Sequence, residues 1–311
     1  MSAPHCGSVS AAQLREMVRQ LVERHRGTRV RTIRQRASGL TNFVFEVRHA
    51  GGACVVRINP DPSKIGSFMK ERWAARQARA AGVPTARILE VGNKIVPLPY
   101  MILECVRGSP ATRHPAREAI LHELGRYAAR INRIRTYGFG GTTRRAGAGP
   151  GCKSTWQEYL QGELQLAARL RLLREQHLLP PRKLRFLRTL LEAGASRRPM
   201  LNHGDLRLKN TLVDARGKIV AIIDWENCTS NFAPQWELSL ALHDLSIDEK
   251  QAFVGGYGLS TQELAAMAPL IKAFNLLNYA PVLEKLIRGK DWDGLAQCRL
   301  RLNGDFDLYS I

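Results

Sequence analysis

The stretch His203-Gly204-Asp205-Leu206-Arg207-Leu208-Lys209-Asn210, followed by Ile222-Ile223-Asp224-Trp225, decides how the rest of this chain is read. It sets Asp205 and Asn210 on a loop and Asp224 at the end of an apolar run. Two short strands, Thr211–Val213 and Ile219–Ile223, flank the turn Asp214-Ala215-Arg216-Gly217, so a hairpin brings Asn210 and Asp224 together. Phosphoryl transfer needs such a set: one carboxylate to receive or orient the proton of an acceptor hydroxyl, and an amide oxygen with a second carboxylate to hold magnesium on nucleotide phosphates. The spacing H-x-D-x-x-x-x-N is short enough to arise by chance, so its surroundings carry the weight.

Upstream, Ser10 to His25 reads as an amphipathic helix with Leu14, Val18, Leu21 and Val22 on one side. Strand-like runs follow at Val30–Arg36, Phe43–Arg48 and Cys54–Ile58, the first two joined by the loop Ser38-Gly39-Leu40-Thr41-Asn42. Lys64 to Ala81 has helical spacing and ends at Gly82, and two more strands cover Ala86–Val91 and Tyr100–Val106. Gly108-Ser109-Pro110 then breaks the pattern. The expected division is therefore residues 1–107, a five-stranded antiparallel sheet with helices, and residues 108–311, mainly helical. In the second part Ile120, Leu121, Leu124, Ala128 and Ile131 form a long apolar stripe, and Gly138 to Gly151 reads as a glycine-rich loop. Helices are expected near Trp156–Leu173 and Pro181–Ala193. Ser260 and Glu263 make a capping box that opens a further helix, and Pro269 and Pro281 are expected to divide that C-terminal region.

Composition narrows the function classes. The chain has 311 residues, 47 Lys and Arg against 27 Asp and Glu, and a formal net charge of +20. The most apolar window, Ile95 to Val106, holds two prolines and Glu104, so no membrane span is expected. Met1 to Ser10 is polar, without the apolar core of a secretion signal, and a cytoplasmic location is the expectation. Six scattered cysteines form no CxxC pair, which argues for free thiols rather than a zinc site or a disulfide framework. The positive surplus sits in the first 200 residues, whereas 201–311 carry 11 basic and 14 acidic side chains. With few aromatics among the arginines, a solvated basic face is favoured over a nucleic-acid site.

At this point the sequence resembles the aminoglycoside phosphotransferase family of small-molecule kinases, with a bilobal, protein-kinase-like α+β fold. His203-Gly204-Asp205 is similar to that family's H-G-D, and Ile223-Asp224-Trp225-Glu226 to its I-D-W-E. The run from Val55 to Gly92 and the C-terminal helices are most similar to hygromycin-type members. The resemblance implies Asp205 as catalytic base, Asn210 and Asp224 as magnesium ligands, and His203 as a residue that orients the loop. It implies that Ser38, Gly39, Thr41 and Asn42 cover the nucleotide, although read alone that loop is equally an ordinary hairpin turn. Arg57 stands where kinases place a phosphate-binding lysine, with Glu71 as its expected partner; arginine stays protonated and holds phosphate oxygens in a fork. Adenine would bond the backbone of Glu104 and Val106 and be pressed by Leu212 and Ile223. Arg207 reads either as a contact to the transferred phosphate or as a salt-bridge partner. Glu237 reads as structural.

The expected activity is thus ATP- and Mg-dependent transfer, with GTP left open, to a hydroxyl of a small molecule: an aminoglycoside-like antibiotic or a metabolite alcohol. Glu284, Asp291, Asp293, Asp305 and Asp307 are acids that a polycation could use, although they equally suit solvated helix ends. Alternatives are a protein kinase, against which the H-G-D and I-D-W signatures weigh, a nucleotide-binding pseudokinase, and a basic nucleic-acid-binding module. A monomer or homodimer is expected.

Overall fold

The computed structural model describes residues 9–36, 42–145 and 147–307. Ser38, Gly39 and Thr41 lie outside the described residues.

Helix α1 (Ala11–Arg26) starts at a capping box between Ser10 and Gln13 and stops at Gly27, whose φ of 64° closes the helix end. Strands β1 (Val30–Gln35), β2 (Phe43–His49) and β3 (Gly52–Ile58), helix α2 (Ile65–Ala80), and strands β4 (Ile88–Gly92) and β5 (Tyr100–Glu104) follow. The strands form one antiparallel sheet in the order β1-β2-β3-β5-β4. Period-2 alternation gives it two faces. Phe45, Val47, Cys54, Val56 and Ile58 pack with Leu14, Val18, Leu21 and Val22 of α1. Glu46 and Arg57 lie off that apolar face. Helix α2 turns its small residues Ala74, Ala75 and Ala78 into the core of the helical part, together with Trp225 and Leu201.

Strand β6 (Ser109–Pro110) carries the chain out of the sheet and pairs with the hairpin β8 (Thr211–Val213) and β9 (Ile219–Ile222). Gly108 permits that approach, because a Cβ there would sit 2.8 Å from Val220 and 3.0 Å from the Val213 carbonyl. Helices α3 (Arg117–Ile131), α4 (Trp156–Gln161), α5 (Leu166–Glu175) and α6 (Pro181–Glu192) lie between, and strand β7 (Met200–Asn202) pairs with β10 (Thr229–Asn231). Helices α7 (Gln235–Ala241), α8 (Ile247–Tyr257), α9 (Thr261–Arg288) and α10 (Trp292–Asp307) complete the chain. A second core joins Trp156, Tyr159, Phe232, Trp236 and Phe274 with leucines of α5, α6 and α9.

Two expectations are corrected. The helix anticipated over 156–173 is broken in two: the backbone turns at Gly162, and Gln165 takes a left-handed φ of 52°. Pro269 and Pro281 do not divide the C-terminal region, because α9 runs unbroken through both. Each proline deletes one helical hydrogen bond and costs about 3 kcal/mol in isolation. The structure offsets both. Leu277 loses its bond from position 281, and Arg169 Nη1 donates to the Leu277 carbonyl at 2.7 Å instead. Ala265, four residues before Pro269, is exposed to water. Buried Leu270, Phe274, Leu277 and Leu283 hold the helix in place.

Candidate active site

The backbone of the His203–Asn210 loop is held by side chains. Glu237 of α7 is fully buried and accepts the N–H groups of His203 (2.5 Å) and Gly204 (3.2 Å). Burial pushes its carboxyl up to about 7, against the two amides that favour the ionised form. Gly204 has φ 79°, and a Cβ there would collide with the Asn227 carbonyl. His203 is fully buried against the Trp225 ring, and desolvation pushes its imidazole down to about 4 although Asp205 and Asp224 oppose the shift, so it is neutral. Its two ring nitrogens have complementary partners. Nε2 donates to the Ile223 carbonyl at 3.1 Å, and Nδ1 accepts the Asp205 N–H at 3.3 Å. The ring thus ties Asp205 to the backbone beside Asp224.

Asp205 is surrounded by donors. Arg207 Nε lies 2.9 Å from Oδ1, Lys209 Nζ 2.8 Å from Oδ2, and Asn210 Nδ2 donates to Oδ2 and to the Asp205 carbonyl at 2.9 Å. Of the two readings left open for Arg207, this structure displays the salt bridge, which extends to Asp244 at 2.9 Å. Lys209 was not singled out in the sequence; its i,i+4 spacing from Asp205 was the available signal.

Asp224 sits differently. It adopts a left-handed backbone, φ 67° and ψ 64°, at the end of β9. The Ile223 N–H donates to the Asn210 carbonyl at 2.9 Å, which brings the two expected ligands together. The nearest cation, Arg57 Nη2, is 3.9 Å from Asp224 Oδ1. Burial raises the Asp224 carboxyl and Glu226 raises it further, while Arg57 opposes both. Asn210 uses its Nδ2 on Asp205, and among the described residues no donor reaches its Oδ1. An amide oxygen and a carboxylate with spare negative charge are a donor set that fits magnesium completed by phosphate oxygens and water. Among the described residues no three His, Cys, Asp or Glu side chains form an all-protein metal cage.

Arg57 projects from β3 and meets Glu71 of α2 at 2.5 Å and Glu226 at 3.3 Å. Burial alone would lower the guanidinium, but Glu71, Asp224 and Glu226 hold it above its ordinary value. Asn42 lies at the same junction. Its amide donates to Glu226 at 3.3 Å and its oxygen accepts from Asn59 at 2.8 Å, so its side chain links the two parts of the molecule. Glu104 is exposed at the end of β5 and Val106 is half-buried. Leu212 and Ile223 are half-buried on the catalytic hairpin, and β6 pairs Pro110 with Leu212. Of the acids considered for a polycation, Glu284 pairs with Arg288, and Asp291 accepts the Gly294 N–H.

No helix among the described residues is long and apolar enough to cross a membrane. The five described cysteines, Cys54, Cys105, Cys152, Cys228 and Cys298, are free thiols.

Comparisons with known proteins agree with this architecture. Aminoglycoside phosphotransferase APH(4)-Ia is similar over 97% of this chain and 100% of its own, at 19% identity and a TM-score of 0.72. A thermostable mutant of that protein, in a ternary complex with AMP-PNP and hygromycin B, covers 93% of this chain and 97% of its own at 20% identity, TM-score 0.68. A putative fructosamine-3-kinase from Thermobifida fusca covers 91% and 98% at 21% identity, TM-score 0.58. At these identities the likeness establishes the kinase-like fold. No curated protein matches the sequence. The family model described as phosphotransferase enzyme family (APH) matches residues 32–270, and with most of the chain covered, the protein belongs to that family.

Proposed function

We propose that this chain transfers the γ-phosphoryl group of a nucleoside triphosphate, ATP in the first instance, to a hydroxyl of a small molecule in the cleft between residues 1–107 and 108–311. The observation that carries the reading is the position of Asn210. Its amide donates to Asp205 and its backbone carbonyl accepts the Ile223 N–H, which brings Asp205 and Asp224 close enough for the charge of one to raise the carboxyl of the other.

Asp205 accepts the proton of the acceptor hydroxyl as the oxygen attacks in line. Neutral His203 holds the Asp205 backbone and the Ile223 carbonyl in register. Asn210 Oδ1 and Asp224 would hold magnesium, which supplies charge neutralisation on the nucleotide phosphates. Arg57, kept protonated by its carboxylate neighbours, is placed to fork phosphate oxygens. Leu212 and Ile223 form an apolar floor for the base, with Glu104 and Val106 supplying backbone groups at its edge. Arg207, 2.9 Å from Asp205, is within reach of charge that develops on the transferred group. The AMP-PNP complex of the similar structure supports a triphosphate in this cleft.

A coupled assay for ADP release across a panel of hydroxyl compounds tests the proposal. Magnesium-dependent turnover with a defined acceptor, lost in Asp205→Ala, is the expected result. Full turnover in that variant would remove Asp205 as the base.

A further inference from the structure

A cavity of about 260 Å³ opens beside Glu226, between α2, the glycine-rich loop and helices α4 and α5. Its charged wall consists of Lys70, Glu163, Arg169 and Glu226, with Trp236 beside them. The two carboxylates are already engaged by the protein. Glu163 accepts the Gly141 N–H at 2.5 Å and the Thr142 hydroxyl at 3.0 Å. Glu226 accepts from Arg57 and Asn42, each at 3.3 Å.

The donors are not matched in this way. Lys70 is only 8% exposed, and its Nζ has one partner, the Cys228 carbonyl at 3.1 Å. Among the described residues no carboxylate lies within 4.0 Å of it. Buried ammonium groups are ordinarily paired, because leaving one uncompensated costs several kcal/mol. Arg169 gives Nη1 to the Leu277 carbonyl, and burial lowers its guanidinium while Tyr159, Glu163 and Glu284 oppose that. Trp236 is 8% exposed, and its Nε1 is a buried donor without an acceptor. Over the whole wall the charge balances, Lys70 and Arg169 against Glu163 and Glu226, but both carboxylates are engaged by the protein while Lys70 Nζ and Trp236 Nε1 keep unused donor capacity in the same cavity, which suits the oxygens of a carboxylate.

We infer that the acceptor alcohol carries a carboxylate, which Lys70 Nζ binds inside this cavity, so the substrate class is hydroxy acids rather than aminoglycosides. The inference rests on the phosphotransferase reading for the transfer step, but the carboxylate site itself does not. No covalent step occurs at Lys70; it is a recognition residue.

The test uses matched compounds: D-glycerate against glycerol, D-gluconate against D-glucitol, and hygromycin B and kanamycin as cationic arms. Two readouts are taken, ADP release with Mg-ATP and calorimetric binding in the presence of AMP-PNP. The expected result is that a carboxylated member binds at least about tenfold more tightly than its neutral partner and gives ADP release with the lower KM. Lys70→Met should remove that preference, raising KM or Kd about 10- to 100-fold, the range for a hydrogen bond to a charged group. Lys70→Arg should restore most of it. Trp236→Phe, which keeps the ring and deletes the donor, should give a smaller loss. Thermal unfolding of each variant separates recognition from misfolding. The inference is overturned if no carboxylated member outperforms its partner, if the cationic arms are preferred, or if the preference survives in folded Lys70→Met. Carboxylate-dependent binding without ADP release would keep the site and remove the phosphotransferase reading. ADP release with hygromycin B or kanamycin alone would do the reverse.

Discussion

The surroundings of Asp205 and Asp224 differ, and the division proposed for them, base and metal ligand, follows that difference. Asp205 has two cations and an amide within 2.9 Å. Asp224 has its nearest cation at 3.9 Å and shares it with Glu71 and Glu226. One carboxylate is held in a fixed orientation by the chain's own donors. The other lies in a region with more carboxylates than cations, where the proposed magnesium would supply the missing charge. On the proposed reading, one hairpin would serve two kinds of chemistry through its neighbours rather than through residue type, since both groups are aspartates.

The strongest way to break the contrast is Asp224→Ala. Turnover should fall by at least about a thousandfold, with the magnesium dependence of nucleotide binding flattened, because the charge on the phosphates loses its counter-ligand. Titration of nucleotide affinity against magnesium checks it. Asp205→Ala should lower kcat by about a hundredfold to ten-thousandfold while leaving magnesium-dependent nucleotide binding intact, the range for loss of a general base. If both variants lost nucleotide binding alike, the division between the two carboxylates would fail.

Arg57→Met probes the acid-rich side. It leaves Glu71, only 1% exposed, as an unpaired buried charge, and denaturant unfolding should report about 3–5 kcal/mol of lost stability.

Glu237→Gln sharpens the Asp205 side through its pH dependence. Glu237 has a folded value of about 7 against an ordinary 4.5, so its contribution is present below pH 4.5 and lost as pH rises towards 7. His203 has a folded value of about 4 against an ordinary 6.5, so its contribution is present above pH 6.5 and lost as pH falls towards 4. The two slopes oppose each other between pH 4.5 and 6.5, and the parent protein should be nearly flat there. In Glu237→Gln the His203 slope is unmasked, and unfolding free energy should rise by roughly 3 kcal/mol between pH 4 and 6.5. A parent profile as steep as the variant's would contradict this pairing.

The smallest expected effect is on stability in Arg207→Ala. Partly exposed pairs of this kind contribute about 0–1 kcal/mol, so its thermal unfolding should change little. Any fall in kcat beyond that would favour the phosphate-contact role over the salt bridge alone.

The catalytic segment was legible because its information is local. A loop, a tight turn and an apolar strand determine the 203–224 geometry with few distant partners. The apolar periodicity of α1, β2 and β3 was legible for the same reason. The Arg57–Glu71 contact was readable only through resemblance to kinases, since fourteen residues and a change of element separate the two. Glu237 was read as structural, yet nothing in Gln235-Trp236-Glu237 indicated that its carboxylate reaches the amides of 203 and 204. Asn42 was read as part of a nucleotide loop, whereas its amide is occupied with Asn59 and Glu226. The prolines of α9 misled because propensity is a local quantity, and the guanidinium that caps Leu277 comes from another helix.

By itself, then, the order of residues picked out the side chains proposed to carry the chemistry and determined which strands and helices form, because spacing and periodicity act over a few positions. Tertiary structure decided which buried charges are compensated. Lys70 and Glu71 are adjacent in sequence, yet Glu71 meets Arg57 of another element at 2.5 Å, whereas among the described residues Lys70 has no carboxylate within 4.0 Å. Electrostatic energy depends on distance and desolvation, and neither is a property of the chain before it folds.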